Sequence, residues 1–419
     1  MAQLSDDCFA FGGPLLPLAD ALAMLRERVP AVADVERLPL AACQGRVLRA
    51  PLIASLAVPA YDNAAVDGYA VRFEDLDPKA ETRLPLGGRA AAGHPLGRAI
   101  EPGEAIRIFT GAPLPEGADT VMMQEDCSLH EGIVAIRPGI GQGANCRAAG
   151  EDVAEGSKLL PAGRRLRPWD LGLAASQGLS ELPVARLLRV ALCSTGDELA
   201  EPGAARHPGQ IYDCNRRMVA ALLRGEGCQV TDLGILADRR SLIRTVLADA
   251  AKRHDLLLTT GGVSGGEEDH VKAALSVAGG ALHFWRLAIK PGRPLALGTL
   301  GKAAFAGLPG NPVACAVTFA ALVRPLLQRM SGAVASDLST FPVVSGFDYA
   351  KKRERQEWLR VSLEARGTAL PRAHRFPRDG AGILSSLAGS DGFLILEEHL
   401  TQVPRGSTLP FLPFSEVLA

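Results

Sequence analysis

The chain lacks an excess of either charge. Its 419 residues carry 45 basic and 46 acidic side chains, a formal net charge of −1. General binders of nucleic acid or of membrane surfaces show a strong basic surplus, so neither partner is expected. The chain also lacks any CxxC pair. Its eight cysteines (Cys8, Cys43, Cys127, Cys146, Cys193, Cys214, Cys228 and Cys315) are scattered, and they read as reduced thiols of a cytoplasmic protein, several of them buried. The opening MAQLSDDCFA has neither a basic start nor an apolar core and does not read as a signal peptide. Apolar runs are broken by Arg, Pro or Gly before about 18 residues, so no membrane helix is expected. No exact repeat and no low-complexity linker occurs.

What is present is hydrophobic residues, 47% of the chain, enough for several cores, and a length that corresponds to about three domains. After a loose start, PLADALAMLRERV (17–29) has helical spacing. From about 37 to 165, Gly and Pro recur between short runs such as EAIRIFTG, DTVMMQED and GIVAIRPG, a β-rich texture. RPWDLGLAASQGL (167–179) reads as a helix. From RLLRVALCSTGDEL (186–199) strand and helix alternate as far as NPVACAVTFAALVRPLLQRM. That rhythm predicts a parallel sheet covered by helices on both faces. After Ser331, FPVVSGFDYA, EWLRVSLEARG, GFLILEEH and STLPFLPF read as the strands of a small barrel or sandwich. The expected organisation is an N-terminal region over 14–183 with an inserted β subdomain at about 75–145, an α/β domain over 184–331, and a C-terminal β domain over 340–415.

The candidate chemistry lies at strand ends. The strand DLLLTT runs into TTGGVSGGEEDH (259–270), with four glycines at 261, 262, 265 and 266. Glycines let backbone N–H groups approach a ligand, and a following helix start attracts anions. The pattern is neither a P-loop nor a GxGxxG, so on its own it serves either a ligand or a tight turn. Glu267, Glu268 and Asp269 follow it; in a first helical turn acids also serve simply to offset the helix dipole. STGDEL (194–199) repeats the theme with Glu198, and GILADRR places Asp238 after a third strand. Adjacent strand ends would put carboxylates and phosphate-friendly backbone on one rim, where Mg²⁺ bridges acids to phosphate oxygens; otherwise each acid caps its own helix. AIKPGRPLALG (288–298) carries Lys290 and Arg293 on a stiff loop suited to a small tetrahedral anion. GLPGNPVA (307–314) has Asn311 as an N-cap and Pro312 at the first helical position. No convincing Ser–His or Cys–His nucleophile pair is present, and His270 reads as a supporting or surface residue.

These motifs resemble the MoeA family, the molybdopterin molybdenumtransferases, related to the C-terminal part of gephyrin. PAYDNAAVDGYAV (59–71), RIFTGAPLPEGADTVMMQED (107–126), NCRAAGEDV (145–153), STGDEL, IYDCN (211–215), TTGGVSGGEED, AIKPGRP and GLPGNPVA occur in the family's order and span about 15–415. The resemblance implies a substrate of adenylylated molybdopterin, insertion of molybdate at its dithiolene, cleavage of its pyrophosphate with release of AMP, and a requirement for Mg²⁺. It implies functional roles for Asp67, Thr110, Arg147, Asp152, Glu198, Asp238 and Asp269, with Glu198, Asp238 and Asp269 as metal ligands. Thr195, Gly196, Thr260, Gly261, Gly262, Ser264, Gly265, Pro309 and Pro312 would meet the substrate and its phosphates. Lys290, Arg293, Pro294, Arg360 and Ser385 or Ser386 would meet molybdate. It further implies a cytoplasmic homodimer in which Asp67 and Asp152 of one subunit reach the α/β domain of the other, and dealings with other molybdenum-cofactor proteins and apoenzymes. The local reading of Asp67 and Asp152 is plain turn chemistry.

Three departures from the family pattern stand out. Arg293 takes the place of a frequent Lys, FPRDGAGILSSL (376–387) replaces a small polar and glycine stretch, and NCRAAGED has one Arg where some members have two. Two rival functions share the same domain: a molybdopterin carrier without chemistry, and a nucleotide pyrophosphatase. The Lys290/Arg293 loop argues against the second, and the set of five acids argues against the first.

Overall fold

The computed structural model describes residues 15–262, 270–334 and 338–417. Its centre is a run of β1 (Leu188–Thr195), α1 (Asn215–Gly225), β2 (Cys228–Leu236), α2 (Arg240–Ala250), β3 (Leu256–Thr260), α3 (His270–Val277), β4 (Ala281–Arg286), β5 (Pro294–Leu300) and β6 (Ala303–Leu308). The sheet order is β2-β1-β3-β6-β5-β4. The first four strands are parallel, and β5 and β4 extend the sheet as an antiparallel edge. The alternation read from the sequence is present with one addition. PLALG, which reads as the tail of a proline loop, is the start of β5, paired with β4 from its first residue and with β6 from Ala296 onward. A proline is tolerated at the first residue of a strand.

Alternating strand positions fill two cores. Val190, Leu192, Leu256, Leu258, Ala306 and Leu308 face the N-terminal helix Leu18–Arg28, α1, and the long helix that follows β6. Ala191, Cys193, Leu257 and Phe305 face α2 and α3 on the other side. Both faces are therefore dry, as parallel sheets require. The long helix is α4 (Pro312–Thr318), a π-turn (Phe319–Val323) and α5 (Arg324–Ser331). Its 20 residues are long and apolar enough to cross a membrane, but 83% of its most apolar window is buried inside the protein. It is the central rod of this core.

Ahead of the sheet, outgoing and returning chain pair antiparallel along a limb. Val35–Pro39 lies on Glu181–Ala185, Leu52 on Leu160, Val58 on Val153, and Asn63–Ala64 on Cys146–Arg147. At the far end, strands from Gly68 to Ile136 build a separate six-stranded sheet. After the central domain, β7 (Phe341–Ser345), β8 (Gln356–Arg366), β9 (Ala369–Arg375), β10 (Gly392–Leu396) and β11 (Thr408–Pro413) follow. Pairing in the cycle β8-β9-β7-β11-β10-β8 closes a barrel around Val343, Leu359, Val361, Leu394 and Phe411. β9, ALPRAHR, escaped the sequence reading because proline and three polar or charged residues hide its alternation. The short strand Ile289–Lys290 pairs with Gln356–Glu357 at the start of β8, and Trp358 and Phe393 pack into the central core. The barrel is thus tied to the central domain by backbone and by side chains.

Candidate functional site

Because β2, β1, β3 and β6 are parallel, their carboxyl ends lie on one edge of the sheet. The chain passes from β1 to β2 on one side and then crosses to β3 on the other, so the strand order reverses between β1 and β3. Open α/β sheets bind ligands at that point. A cleft of about 330 Å³ lies there. Its walls are Thr195 and Glu198 after β1, Thr260 and Gly261 after β3, Gly310 to Pro312 before α4, and Gly382 with Leu384 from the C-terminal domain. Ile211 to Asn215, the IYDCN motif, close the remaining side.

The glycines have a steric reason to be glycine. Gly261 and Gly262 have φ of +86° and +66°. A Cβ on Gly262 would stand 2.6 Å from a Val271 methyl and 2.7 Å from Thr195 Oγ1. Side chains are therefore excluded where β3 turns against β1. The two strands are also joined by the Ser194 and Thr260 hydroxyls, 2.7 Å apart. The buried Thr195 Oγ1 has no hydrogen-bond partner among the described residues. Asn215 Nδ2 donates to Gly310 O at 2.6 Å, fixing the turn ahead of α4 to the start of α1. Beneath it, buried Arg216 donates through Nε to Asp213 at 2.9 Å and also pairs with Asp232 and Glu201. Asn311 precedes α4 and Pro312 opens it, but the Asn311 side chain makes no capping bond. Instead, the Val313 N–H donates to Ala381 O at 2.9 Å.

The adjacency posed by the sequence is present: β2, β1 and β3 are neighbours, so the loops bearing Glu198, Asp238 and Gly261 share one rim. The first two loops are cross-linked by an acid absent from the predicted set. Asp238 N donates to Asp197 Oδ1 at 3.1 Å, and Asp197 N to Asp238 Oδ2 at 3.3 Å. Asp197 sits inside the quoted GDEL, and its only sequence signal is its place beside Glu198. Ser264, Gly265 and Asp269 lie outside the described residues. Among the described residues no three His, Cys, Asp or Glu side chains are grouped to hold a metal. Glu198 lines the cleft and Asp238 stands on the neighbouring loop; carboxylates are the ligand type of Mg²⁺, which takes one or two of them and completes its shell with water and phosphate oxygens.

The Lys290/Arg293 loop lies at the seam between the central and C-terminal domains. Gly292, at φ +110°, packs so tightly on α4 that a Cβ would approach Thr318 Oγ1 to 2.6 Å. Lys290 Nζ donates to Glu357 Oε2 at 3.1 Å, and Tyr349 OH donates to the same oxygen at 2.8 Å. Arg293 is exposed; partial burial, then the positive charge of Arg355 and Arg286, pull its pKa down. Pro294 opens β5. Arg360 is buried and donates to Ser386 Oγ at 3.0 Å and to Gly380 O at 3.3 Å. Of the two candidate serines, Ser386 is therefore the one against Arg360; Ser385 is exposed. The segment that departs from the family pattern forms a wall of the cleft. Asp379 pairs with Arg375 at 3.6 Å, and Gly380 and Ala381 supply the two carbonyls just described. Glu357 and Tyr349 were missed; the one sequence signal was a lone acid in the apolar strand QEWLRV.

Asp67, Thr110, Arg147 and Asp152 gather elsewhere. Asp67 Oδ1 accepts from Thr110 N at 2.8 Å and Thr110 Oγ1 at 2.7 Å. The backbone bond first, then the hydroxyl, hold its pKa below the usual carboxylate value. Arg147 lies on the strand paired with Asn63–Ala64, and Asp152 N donates to Val58 O at 3.0 Å. Asp67, Thr110 and Arg147 stand where the limb meets the outer sheet, and Asp152 lies further back along the limb beside Val58. Among the described residues their hydrogen bonds stay within the N-terminal region, so one chain does not bring them to the cleft.

Comparison with known proteins covers the whole of this arrangement. Residues 16–178 match the MoeA N-terminal region (domain I and II), 191–329 a probable molybdopterin binding domain, and 342–414 the MoeA C-terminal region (domain IV). The molybdopterin molybdenumtransferase of Haemophilus influenzae is 37% identical, over 96% of this chain and 100% of its own length. Molybdopterin molybdenumtransferase 2 of Mycobacterium tuberculosis is 36% identical, over 88% of this chain and 93% of its own. A crystal structure of the molybdopterin biosynthesis moeA protein from Pyrococcus horikoshii OT3 superposes with a TM-score of 0.82 at 28% identity, covering 95% of this chain and 100% of that one.

Proposed function

The chain belongs to the MoeA family of molybdopterin molybdenumtransferases, and from that premise we propose that it inserts molybdate into adenylylated molybdopterin and releases AMP. The observation that carries the reading is the cleft at the β1/β3 reversal, lined by Glu198, by the turns at Gly261 and Gly310, and by Gly382 and Leu384 of the C-terminal domain. The turn at Gly310 and the spare hydroxyl of Thr195 receive the phosphates. Glu198 and Asp238, with Asp269, hold Mg²⁺. Bound there, Mg²⁺ would supply charge neutralisation of the pyrophosphate and Lewis-acid activation of its phosphorus. Lys290, Arg293 and Arg360 draw in molybdate, a dianion, at the edge of the C-terminal barrel. Water then replaces the pterin phosphate at the AMP phosphorus: the new P–O bond forms, the anhydride bond breaks, the pterin phosphate leaves as an oxyanion, and the protons of the attacking water pass to solvent.

Asp67, Thr110, Arg147 and Asp152 join the cleft from a second subunit. Support comes from their distance from the cleft within one chain and from the apolar side chains exposed along the limb, Ile53, Leu56, Tyr61 and Trp169. A reducing, cytoplasmic setting suits the cysteines, since all seven described are free thiols. AMP release from adenylylated molybdopterin, measured with and without Mg²⁺ and molybdate, tests the reading. Release that needs both is expected. Tight binding without release would make the chain a carrier, and release without molybdate a pyrophosphatase.

A further inference from the structure

We propose that Glu357 is the resting counter-ion of Lys290, and that an oxyanion binds the loop by taking the ammonium from it. Glu357 is a positioning and affinity-setting residue in this scheme, not a catalytic one. The identity of the oxyanion as molybdate rests on the proposed function; the exchange itself rests on the geometry below.

Glu357 is 1% exposed at its side chain, while Lys290 is 49% exposed. A carboxylate so buried has to be compensated where it stands. Both compensating donors, Lys290 Nζ and Tyr349 OH, converge on Oε2. They differ in freedom. Tyr349 is half-buried and lies on the barrel, and burial together with Glu357 drives its hydroxyl pKa upward, so it remains a neutral donor. Lys290 has a long flexible stem and a half-open outlook, so it can swing away while Tyr349 keeps Glu357 hydrogen-bonded. The backbone sets the encounter, because Ile289–Lys290 is paired in register with Gln356–Glu357.

The surroundings favour exchange. Arg355 and Arg286 act on Arg293 as like charges, and Arg375 stands over the Tyr349 ring at 5.4 Å. The seam therefore holds more positive than negative charge, and Glu357 is the buried acid inside it. A dianion arriving at Lys290 and Arg293 is attracted by the cations and repelled by Glu357. Glu357 accordingly holds Lys290 in place between turnovers and keeps oxyanion affinity low enough for release. Mere structural damage would weaken binding; removal of this negative charge should strengthen it.

Calorimetric titration of molybdate alone into the full chain reads this directly. Glu357→Gln keeps the shape and the acceptor for Tyr349 while removing the charge. It should bind molybdate about tenfold more tightly, the size expected for one unit charge several ångströms from a dianion in a largely aqueous dielectric. Lys290→Gln should weaken binding, and adding Glu357→Gln to it should recover less than the same change gains with Lys290 present, because relief of the direct repulsion remains but no ammonium is released to the anion. Tyr349→Phe leaves Glu357 dependent on Lys290 and should weaken binding several-fold, so the inference stays testable if Glu357→Gln fails to fold. Equal or weaker binding by folded Glu357→Gln, or no molybdate binding by the wild type, would overturn it. AMP release is scored separately: its absence with the binding pattern intact removes the transfer reading and leaves the exchange standing.

Discussion

Asp67 owes its depressed pKa to one neighbour that donates twice. The Thr110 N–H and hydroxyl both point at Oδ1, and hydrogen bonds to the charged form of a carboxylate favour that form. Thr110→Val removes the hydroxyl but leaves the backbone bond, the larger cause of the shift. The Asp67 titration midpoint, followed by carboxyl-carbon NMR, should rise part of the way toward the ordinary aspartate value. An unmoved midpoint would contradict the assignment. The sign for stability follows. A depressed folded pKa contributes stability above the unfolded pKa, and that contribution is lost as pH falls through the folded value. The variant should therefore lose less stability than the wild type on acidification. Local contacts of this kind, 43 residues apart in sequence, become legible only through the motifs VDGYA and FTGAP taken together.

The glycine turns ending β1 and β3 act as elements, because each sets the approach of a whole strand end. Gly262→Ala would force a methyl against Val271 and Thr195 in a left-handed backbone. Strain and overpacking together cost about 1–3 kcal/mol, and urea unfolding should show a loss in that range. Gly310 is the contrast: a methyl there would meet no atom nearer than 3.9 Å, and its φ lies outside the left-handed region. Gly310→Ala should fold almost as well but narrow the cleft it lines, weakening substrate more than stability. A larger loss of stability at Gly310 than at Gly262 would refute this division. Such turns were legible in the sequence because glycine and proline mark them locally. β5 and β9 were not: Pro294 and Pro371 mimic loop punctuation, and the buried face of each strand becomes visible only when its partner is in place. The Lys290–Glu357 pair spans 67 residues, and nothing local to either residue points to the other.

At the scale of the molecule, the proposed site residues fall into two separate groups on one chain. The limb holds Asp152 along its length and Asp67 at its outer end, while Glu198 lines the cleft and Asp238 stands on the neighbouring loop at the sheet edge. The same residues become one site only if a second copy brings its limb to the cleft, as a two-fold dimer does for both sites at once. Mixing inactive variants decides it. Asp67→Asn spoils the limb contribution, and Asp238→Asn spoils the cleft. In a shared-site dimer, a mixed pair combines the sound limb of one chain with the sound cleft of the other, and its second site carries both lesions. Random pairing makes half the dimers mixed, and half the sites in those are sound, so co-refolded variants should recover about a quarter of wild-type AMP release. A site confined to one chain predicts no recovery, since every cleft would then be lesioned in its own chain. The exposed Leu56, Tyr61 and Trp169 give the same test a structural readout. Charged substitutions there should dissociate the dimer and abolish turnover, while leaving the central domain folded, because its two cores are built without the limb's exposed face.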